Sequence, residues 1–147
     1  ENSSAVAVAF PDYCRKPQTP GNRLRLLAGD YPSLAELGLS VRLAAFYPYI
    51  RLSGILPVPE KTLPVSYIRE HVKGLRRSQT AVAGRLFIPE TLPFIWTKSL
   101  SGGRHHRLFP FFIRKLDAKS AAEGRFTCYG LSQKRTESGR VATVPHF

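Results

Sequence analysis

Cationic side chains dominate one stretch of the chain, and they are the residues whose chemistry is easiest to interpret. Between His71 and Leu116 the single acidic residue is Glu90. The cations of this stretch are Lys73, Arg76, Arg77, Arg85, Lys98, Arg104, Arg107, Arg114 and Lys115. A basic field of this breadth, with almost no interspersed acid, is typical of a surface that binds phosphate groups. A solvated basic face without a ligand is the alternative interpretation.

The charge is also divided unevenly along the chain. The whole sequence carries +12, from 22 basic and 10 acidic residues. Residues 1–68 hold seven basic and five acidic side chains, net +2, whereas residues 69–147 hold fifteen and five, net +10. A polyanionic partner is therefore expected for the second half. A membrane surface is the less favoured polyanion, because no long basic amphipathic helix is visible.

The residue pattern gives little support to metal chemistry. Adjacent histidines such as His105 and His106 point apart on a strand, and no nearby acids complete a ligand set. Cys14 and Cys128 show neither a CxxC motif nor ligand spacing, so they are expected to be reduced thiols. Neither a metal site nor a cofactor is predicted.

The elements that position these residues must fit into one ordinary domain or two small ones, because the chain has 147 residues. Its 43% of apolar residues suffices for a buried core. No apolar run reaches the roughly 18 residues that a membrane helix requires, and the first residues do not form a secretory signal. The sequence predicts a cytoplasmic protein without a membrane segment.

The first part of the chain predicts the order β-β-α-β. The apolar run over 5–10 predicts a buried strand, and the alternation over 23–27 predicts a second. Ser33 followed by Glu36 is a capping-box pattern, so a helix is expected to begin at Ser33, with a third strand over 50–58. This order is that of a ferredoxin-like fold lacking its first β-α unit.

The second part begins at Pro64 and alternates strands with one helix. The pattern predicts a basic helix over 74–87, a polar serine loop over 99–103, and strands over 65–72, 94–97, 108–116, 124–131 and 144–147. We therefore predict a two-part α+β architecture. Residues 1–63 would form a partial ferredoxin-like domain, and residues 64–147 a C-terminal α+β domain.

Several short blocks occur together in one order. They are Ser99-Leu100-Ser101-Gly102, Arg107-Leu108-Phe109, Phe126-Thr127-Cys128-Tyr129-Gly130-Leu131-Ser132 and Val144-Pro145-His146-Phe147. In this combination the chain resembles the CRISPR-associated repeat-RNA endoribonucleases of subtype I-F, the Csy-type processing nucleases, which have related versions in subtype IV and transposon-encoded systems. Residues 92–147 carry most of the resemblance.

The resemblance implies an activity. Enzymes of this kind bind the stem-loop of a CRISPR repeat RNA and cut at its 3′ base without metal. The 2′-hydroxyl beside the scissile phosphate is the nucleophile, and the product ends in a 2′,3′-cyclic phosphate. The enzyme then holds the hairpin within a crRNA-guided complex, next to its backbone subunit. This chemistry needs a base, orienting groups and donors for the charge on phosphorus.

The resemblance also implies catalytic roles. Ser99 would contact the 2′-hydroxyl, Ser101 would support the loop or the phosphate, and Tyr129 would orient the catalytic histidine. In the plainer alternative the two serines only form a Gly-rich turn, and Tyr129 is a core aromatic residue of a strand.

A larger set of RNA-binding residues follows from the same resemblance. Arg69 and His71 match a pair of base-reading linker residues, although the second is usually Gln. The helix over 74–87 matches an arginine-rich helix that lies along the RNA major groove. His106 occupies the place of an aromatic residue that stacks under the terminal base pair. The implied RNA-binding set is Arg69, His71, Lys73, Arg76, Arg77, Arg85, Arg104, His106 and Arg107.

In the family that this chain resembles, the general base is a histidine on the first helix. No histidine precedes Phe10 in this chain. The chain also contains no methionine. We therefore expect roughly forty further residues before Glu1, forming a β-α unit that carries this histidine. The alternative is a non-catalytic RNA-hairpin-binding subunit of a ribonucleoprotein, which needs the cations but neither Ser99 nor Tyr129.

Overall fold

The computed structural model describes residues 3–71, 92–98, 108–134 and 140–147. Its strands are β1 (Ser3–Ser4), β2 (Ala7–Ala9), β3 (Arg25–Leu27), β4 (Leu63–Glu70), β5 (Phe94–Lys98), β6 (Leu108–Asp117), β7 (Phe126–Thr127) and β8 (Val144–His146). Its helices are α1 (Tyr31–Ala35) and α2 (Leu39–Arg42), followed by a 3₁₀ turn over Ala44–Phe46.

A four-stranded antiparallel sheet in the order β5-β6-β4-β8 is the main element. The long strand β6 lies at its centre and pairs with β4 from Val65↔Asp117 to Glu70↔Phe112. On its other side β6 pairs with β5, ending at Lys98↔Leu108. β4 and β5 both run antiparallel to β6, so their last residues point toward the end of the sheet where β6 begins. Strand β4 stops opposite Phe112, four residues before the Lys98↔Leu108 pair, which forms this edge of the sheet. We call this edge the loop end.

The core lies between one face of this sheet and the paired strands β2 and β3. Strand β2 buries Ala7 and Ala9 fully in the core, whereas Val8 between them is only half-buried, as the two-residue period of a strand predicts. The buried cluster consists of Ala7, Ala9, Phe10, Val65, Tyr67, Phe111, Ile113, Leu131 and Val144.

Tyr67 lies at the centre of this core. Its ring meets that of Phe10 edge to face at 5.3 Å, and its hydroxyl donates a hydrogen bond of 2.9 Å to the Phe10 carbonyl. Burial raises the pKa of Tyr67 to about 12. Tyr13 reaches the same sheet by donating to the carbonyl of Ile113 over 3.0 Å. These two bonds connect the segment after β2 to the main sheet.

The helical segment differs from its prediction. Asp30, and not Ser33, is the N-cap residue of α1, because its carboxylate accepts the backbone N–H of Ser33. The expected single helix is interrupted at Gly38, whose φ of 56° is left-handed. The prediction of a helix beginning at Ser33 is wrong at its start and in its continuity, since a residue with that backbone cannot continue an α-helix.

Two predicted strands also differ. Residues 50–58 form no strand, and they are not paired with any strand in the described part of the chain. A strand needs a neighbour for its peptide groups, and apolar sequence alone does not supply one. Of the strand predicted over 124–131, only Phe126–Thr127 forms, because the chain turns at Gly130 with a φ of 74°. The predicted helix over 74–87 lies outside the described residues.

The mixed, mostly stranded architecture confirms the predicted α+β class. The division into residues 1–63 and 64–147 stays a prediction. Among the described residues, no helix is both long and apolar enough to cross a membrane.

Candidate nucleic-acid interface

Three of the predicted site residues belong to the described part of the chain: Arg69, His71 and Tyr129. The others lie outside it, namely Lys73, Arg76, Arg77, Arg85, Ser99, Ser101, Arg104, His106 and Arg107. The residues on either side of the predicted serine loop are nevertheless described. The chain leaves β5 at Lys98 and returns at Leu108, and these two residues are paired at the loop end.

Strand β4 places Arg69 on the core face of the sheet, opposite Ile113, and its guanidinium extends toward Phe109 and the loop end. Alternation along the strand puts Tyr67 and Arg69 on the same face, so the guanidinium follows directly after the central aromatic residue. The Arg69 guanidinium carbon lies 4.6 Å from the centre of the Phe111 ring and 6.0 Å from that of Phe109. Both distances fall within the range of a cation–π contact. His71 follows the strand and is exposed.

Tyr129 is presented by a tight turn. The N–H of Gly130 donates to the Thr127 carbonyl over 2.8 Å, and Gly130 accepts from the N–H of Val8 over 2.9 Å. A β-carbon at Gly130 would stand 2.6 Å from the Val8 Cγ2 atom, so only glycine fits this close approach with positive φ. The turn holds Tyr129 at the surface, where 59% of the residue is exposed.

The residues after Tyr129 anchor the turn to the core. Leu131 is 2% exposed, and Ser132 is 3% exposed. Ser132 donates from its backbone N–H to the Tyr67 carbonyl over 2.8 Å and from its hydroxyl to the Ala142 carbonyl over 2.7 Å. The block of sequence around Tyr129 therefore has a structural explanation: its glycine, leucine and serine fix the turn that exposes the tyrosine. The alternative of a buried strand tyrosine is wrong.

Phe111 connects the two polar candidates. Its ring lies 5.3 Å from that of Tyr129 at an interplanar angle of 67°, an edge-to-face pair, while Arg69 lies over the same ring. Phe111 is 8% exposed. The structure thus brings Arg69 and Tyr129 to one aromatic residue near the loop end, from positions 60 residues apart in sequence. Sequence reasoning missed Phe111, because nothing in the pattern of β6 distinguishes it from its apolar neighbours.

His146, in contrast, lies far from this cluster. It pairs with Leu63 at the start of β4, six positions before Arg69, which corresponds to about 20 Å along the strand. Its Nε2 atom is 3.3 Å from the Lys115 Nζ atom. Burial lowers the pKa of His146, and the neighbouring charges of Lys115 and Arg25 lower it further. The imidazole is therefore neutral near pH 7 and is remote from Tyr129.

Glu70 neutralises part of the basic field from the other face of β4. Its carboxylate lies 3.0 Å from Lys134 Nζ and 3.1 Å from Arg114 Nε. The hydrogen bond from Lys134, with the charge of Arg114, lowers the pKa of Glu70. Arg114 is therefore an ion-pair partner, which the sequence count of cations did not reveal. Successive side chains of β4 point to opposite faces of the sheet, so the sequence alone could have placed Glu70 and Arg69 on different faces.

The described residues thus form an antiparallel sheet that holds Arg69 and the exposed Tyr129 against one aromatic ring. The sequence matches the family model described as CRISPR-associated protein (Cas_Csy4) over residues 1–86 and 76–147, and the chain belongs to this family. It is 30% identical over 150 residues to the CRISPR-associated endonuclease Cas6/Csy4 of Pseudomonas aeruginosa (strain UCBPP-PA14). That alignment covers 90% of this chain and 78% of the relative. The family predicted from the sequence blocks is confirmed.

Proposed function

We propose that this chain is an endoribonuclease that matures CRISPR RNA. It binds the repeat stem-loop of the precursor, cuts at the 3′ base of the stem, and stays on the hairpin within a cytoplasmic crRNA-guided complex. Membership of this family and the endonuclease activity of the relative support the reaction class. The observation that carries the proposal is the joint placement of Arg69 and Tyr129 on Phe111 near the loop end.

Binding in this proposal depends on the charge of the second half of the chain. The repeat hairpin carries a phosphate at every nucleotide, and residues 69–147 carry net +10. Release of counterions from the RNA would supply much of the affinity. The Arg69 guanidinium has no hydrogen bond or ion pair to another described residue, so its N–H donors are available for a base edge or a phosphate.

The proposed cleavage is a transesterification within the RNA. The 2′-hydroxyl loses its proton to a base, its oxygen attacks the adjacent phosphorus, and the bond from phosphorus to the 5′-oxygen breaks. The 5′-oxygen gains a proton, and the upstream product ends in a 2′,3′-cyclic phosphate. Ser99 would orient the 2′-hydroxyl, Ser101 would support the loop or the phosphate, and Tyr129 would orient the histidine that acts as the general base; no metal takes part.

A repeat-RNA cleavage assay in EDTA tests the proposal. We expect one cut at the 3′ base of the stem and a 2′,3′-cyclic phosphate on the hairpin product. RNA with a 2′-deoxyribose at the scissile nucleotide should bind equally well and remain intact. Cleavage that requires added divalent metal, or that also cuts the deoxy substrate, would contradict the mechanism.

Substitution of Ser99 separates chemistry from binding. Ser99→Ala should slow cleavage by about ten-fold or more with nearly unchanged hairpin affinity, since it removes an orienting contact only. Ser53→Ala is the matched control, because Ser53 is exposed in the less basic half of the chain. A loss of affinity equal to the loss of rate would assign Ser99 to binding instead.

The second candidate function is a non-catalytic RNA-hairpin-binding subunit. It is favoured by one observation: among the histidines that the structure describes, His146 is remote from Tyr129 and His71 is exposed. Tight binding of the repeat hairpin without cleavage in the EDTA assay would support this function over the nuclease.

A further inference from the structure

The ring of Phe111 contacts two different side chains, and neither contact is an ordinary apolar core contact. One partner is the guanidinium of Arg69 at 4.6 Å, and the other is the Tyr129 ring at 5.3 Å. The first partner comes from β4 and the second from the turn after β7, so the ring joins two separate segments of the chain. Phe111 itself is held in the buried cluster by its position at the centre of the sheet.

The polar groups of both partners have no hydrogen bond to other described residues. Neither the Arg69 guanidinium nor the Tyr129 hydroxyl bonds to a protein atom in the described ranges 3–71, 92–98, 108–134 and 140–147. An aromatic ring can fix the position of a cation without occupying its N–H donors. A carboxylate would instead occupy the donors, as Glu70 does for Lys134 on the opposite face.

We propose that Phe111 is a positioning residue that couples RNA binding by Arg69 to the orientation of the Tyr129 hydroxyl. This inference rests on the proposed function. The ring fixes the guanidinium and the phenol relative to each other, while their polar atoms stay available to the RNA. When a base or phosphate binds Arg69, it also affects the position of the Phe111 ring, against which Tyr129 packs.

A matched control exists one residue away. Phe112 is 3% exposed, and its ring lies 5.7 Å from that of Phe94 on the opposite face of the same strand. Phe111→Leu and Phe112→Leu remove similar volume from neighbouring buried positions of β6. Both should lower the thermal unfolding temperature to a similar extent, so a difference in RNA binding or cleavage is not a difference in folding.

The first test is a double-mutant cycle on hairpin affinity, measured by fluorescence anisotropy with the full chain. Phe111→Leu should weaken binding of the repeat hairpin about five-fold, and it should have no further effect in an Arg69→Ala background. Phe112→Leu should leave the affinity unchanged in both backgrounds. Equal, additive effects of Phe111→Leu in the two backgrounds would overturn the proposal.

The second test reads Tyr129 directly. Fluorine NMR of protein labelled with 3-fluorotyrosine, with the resonance assigned by Tyr129→Phe, should show a shift of the Tyr129 signal on hairpin binding. The shift should be absent in Phe111→Leu and preserved in Phe112→Leu. A shift that persists in Phe111→Leu would show that Tyr129 is oriented without this ring.

The outcomes also separate this inference from the proposed function. Coupling between Phe111 and Arg69 without any cleavage by the unsubstituted chain supports the inference and overturns the nuclease. Cleavage without coupling overturns the inference and leaves the nuclease in place. Absence of hairpin binding by the unsubstituted chain overturns both.

Discussion

Adjacent residues around Tyr129 differ in their exposure and in their hydrogen bonds. Tyr129 is exposed and makes its described ring contact with Phe111, whereas Gly130 and Ser132 beside it are buried and hydrogen-bonded. Within this sequence block Tyr129 is therefore the side chain available for the proposed reaction, and its neighbours fix its position.

Tyr129→Phe should isolate the contribution of the hydroxyl. The ring contact with Phe111 remains, so the free energy of unfolding and the hairpin affinity should stay unchanged. Cleavage should slow by about ten-fold, because an orienting hydrogen bond is lost. Single-turnover cleavage with repeat RNA measures this, and Tyr49→Phe is a suitable control because Tyr49 is 86% exposed in the other half of the chain. An unchanged rate would remove Tyr129 from the reaction.

Gly130→Ala tests the turn itself. The substitution forces a side chain into φ of +74° and into contact with Val8, so we expect a loss of about 2 kcal/mol in the free energy of unfolding. Urea denaturation measures it. Gly29→Ala is the control, because a β-carbon there would meet nothing within 4 Å. Similar stability of both variants would show that the turn tolerates a side chain.

At the scale of elements, strand β4 contributes side-chain contacts to both faces of the sheet. Tyr67 and Arg69 point to the core face, and Glu70 binds Arg114 and Lys134 on the other. These ion pairs join β4 to its neighbour β6 and to the segment after β7. Because Glu70 is 22% exposed and its partners are more so, their contribution to stability is modest.

Glu70→Gln should reveal this contribution through its pH dependence. The folded-state pKa of Glu70 is lowered, so the unfolded chain binds the proton more readily and stability is lost as pH falls. At pH 7 the variant should be less stable by about 0.5–1 kcal/mol. The difference should remain constant down to the ordinary value of 4.5 and shrink below it. Urea unfolding of both proteins from pH 7 to pH 3 measures it, and a difference independent of pH would exclude an ionic origin.

The elements also show how far sequence patterns reach. Strands β5, β6 and β8 appear close to their predicted bounds, because their apolar sequences meet pairing partners in the main sheet. The helix after Asp30 is broken at Gly38, and residues 50–58 pair with no described strand. Apolar periodicity predicts neither the positive φ of a residue nor the partner of a strand. Arg69 and Tyr129 were predicted through family resemblance. The contacts of Phe111 with both residues were not predicted, because they depend on strand register and on a turn distant in sequence.

For the whole molecule, the asymmetry of charge should govern RNA affinity. Arg76→Ala combined with Arg77→Ala should weaken hairpin binding and flatten its salt dependence by about two units of slope at most, since each phosphate contact contributes about one unit. Filter binding between low and moderate salt measures the slope. Arg42→Ala with Arg51→Ala removes the same charge from exposed positions in the less basic half and should change neither. Equal effects of the two pairs would indicate a general charge effect.

The burial pattern divides the described chain in another way. Residues 11–64 include no fully buried side chain, and Val41 and Tyr49 are 81% and 86% exposed, whereas Tyr67 and Ile113 are each 1% exposed. Amide protons in β4 and β6 should therefore exchange with deuterium only when the entire sheet opens. Those of the helical segment should exchange orders of magnitude sooner, through openings that leave Arg69 and Tyr129 in place. Protection against exchange would thus follow the paired strands and not the order of the chain.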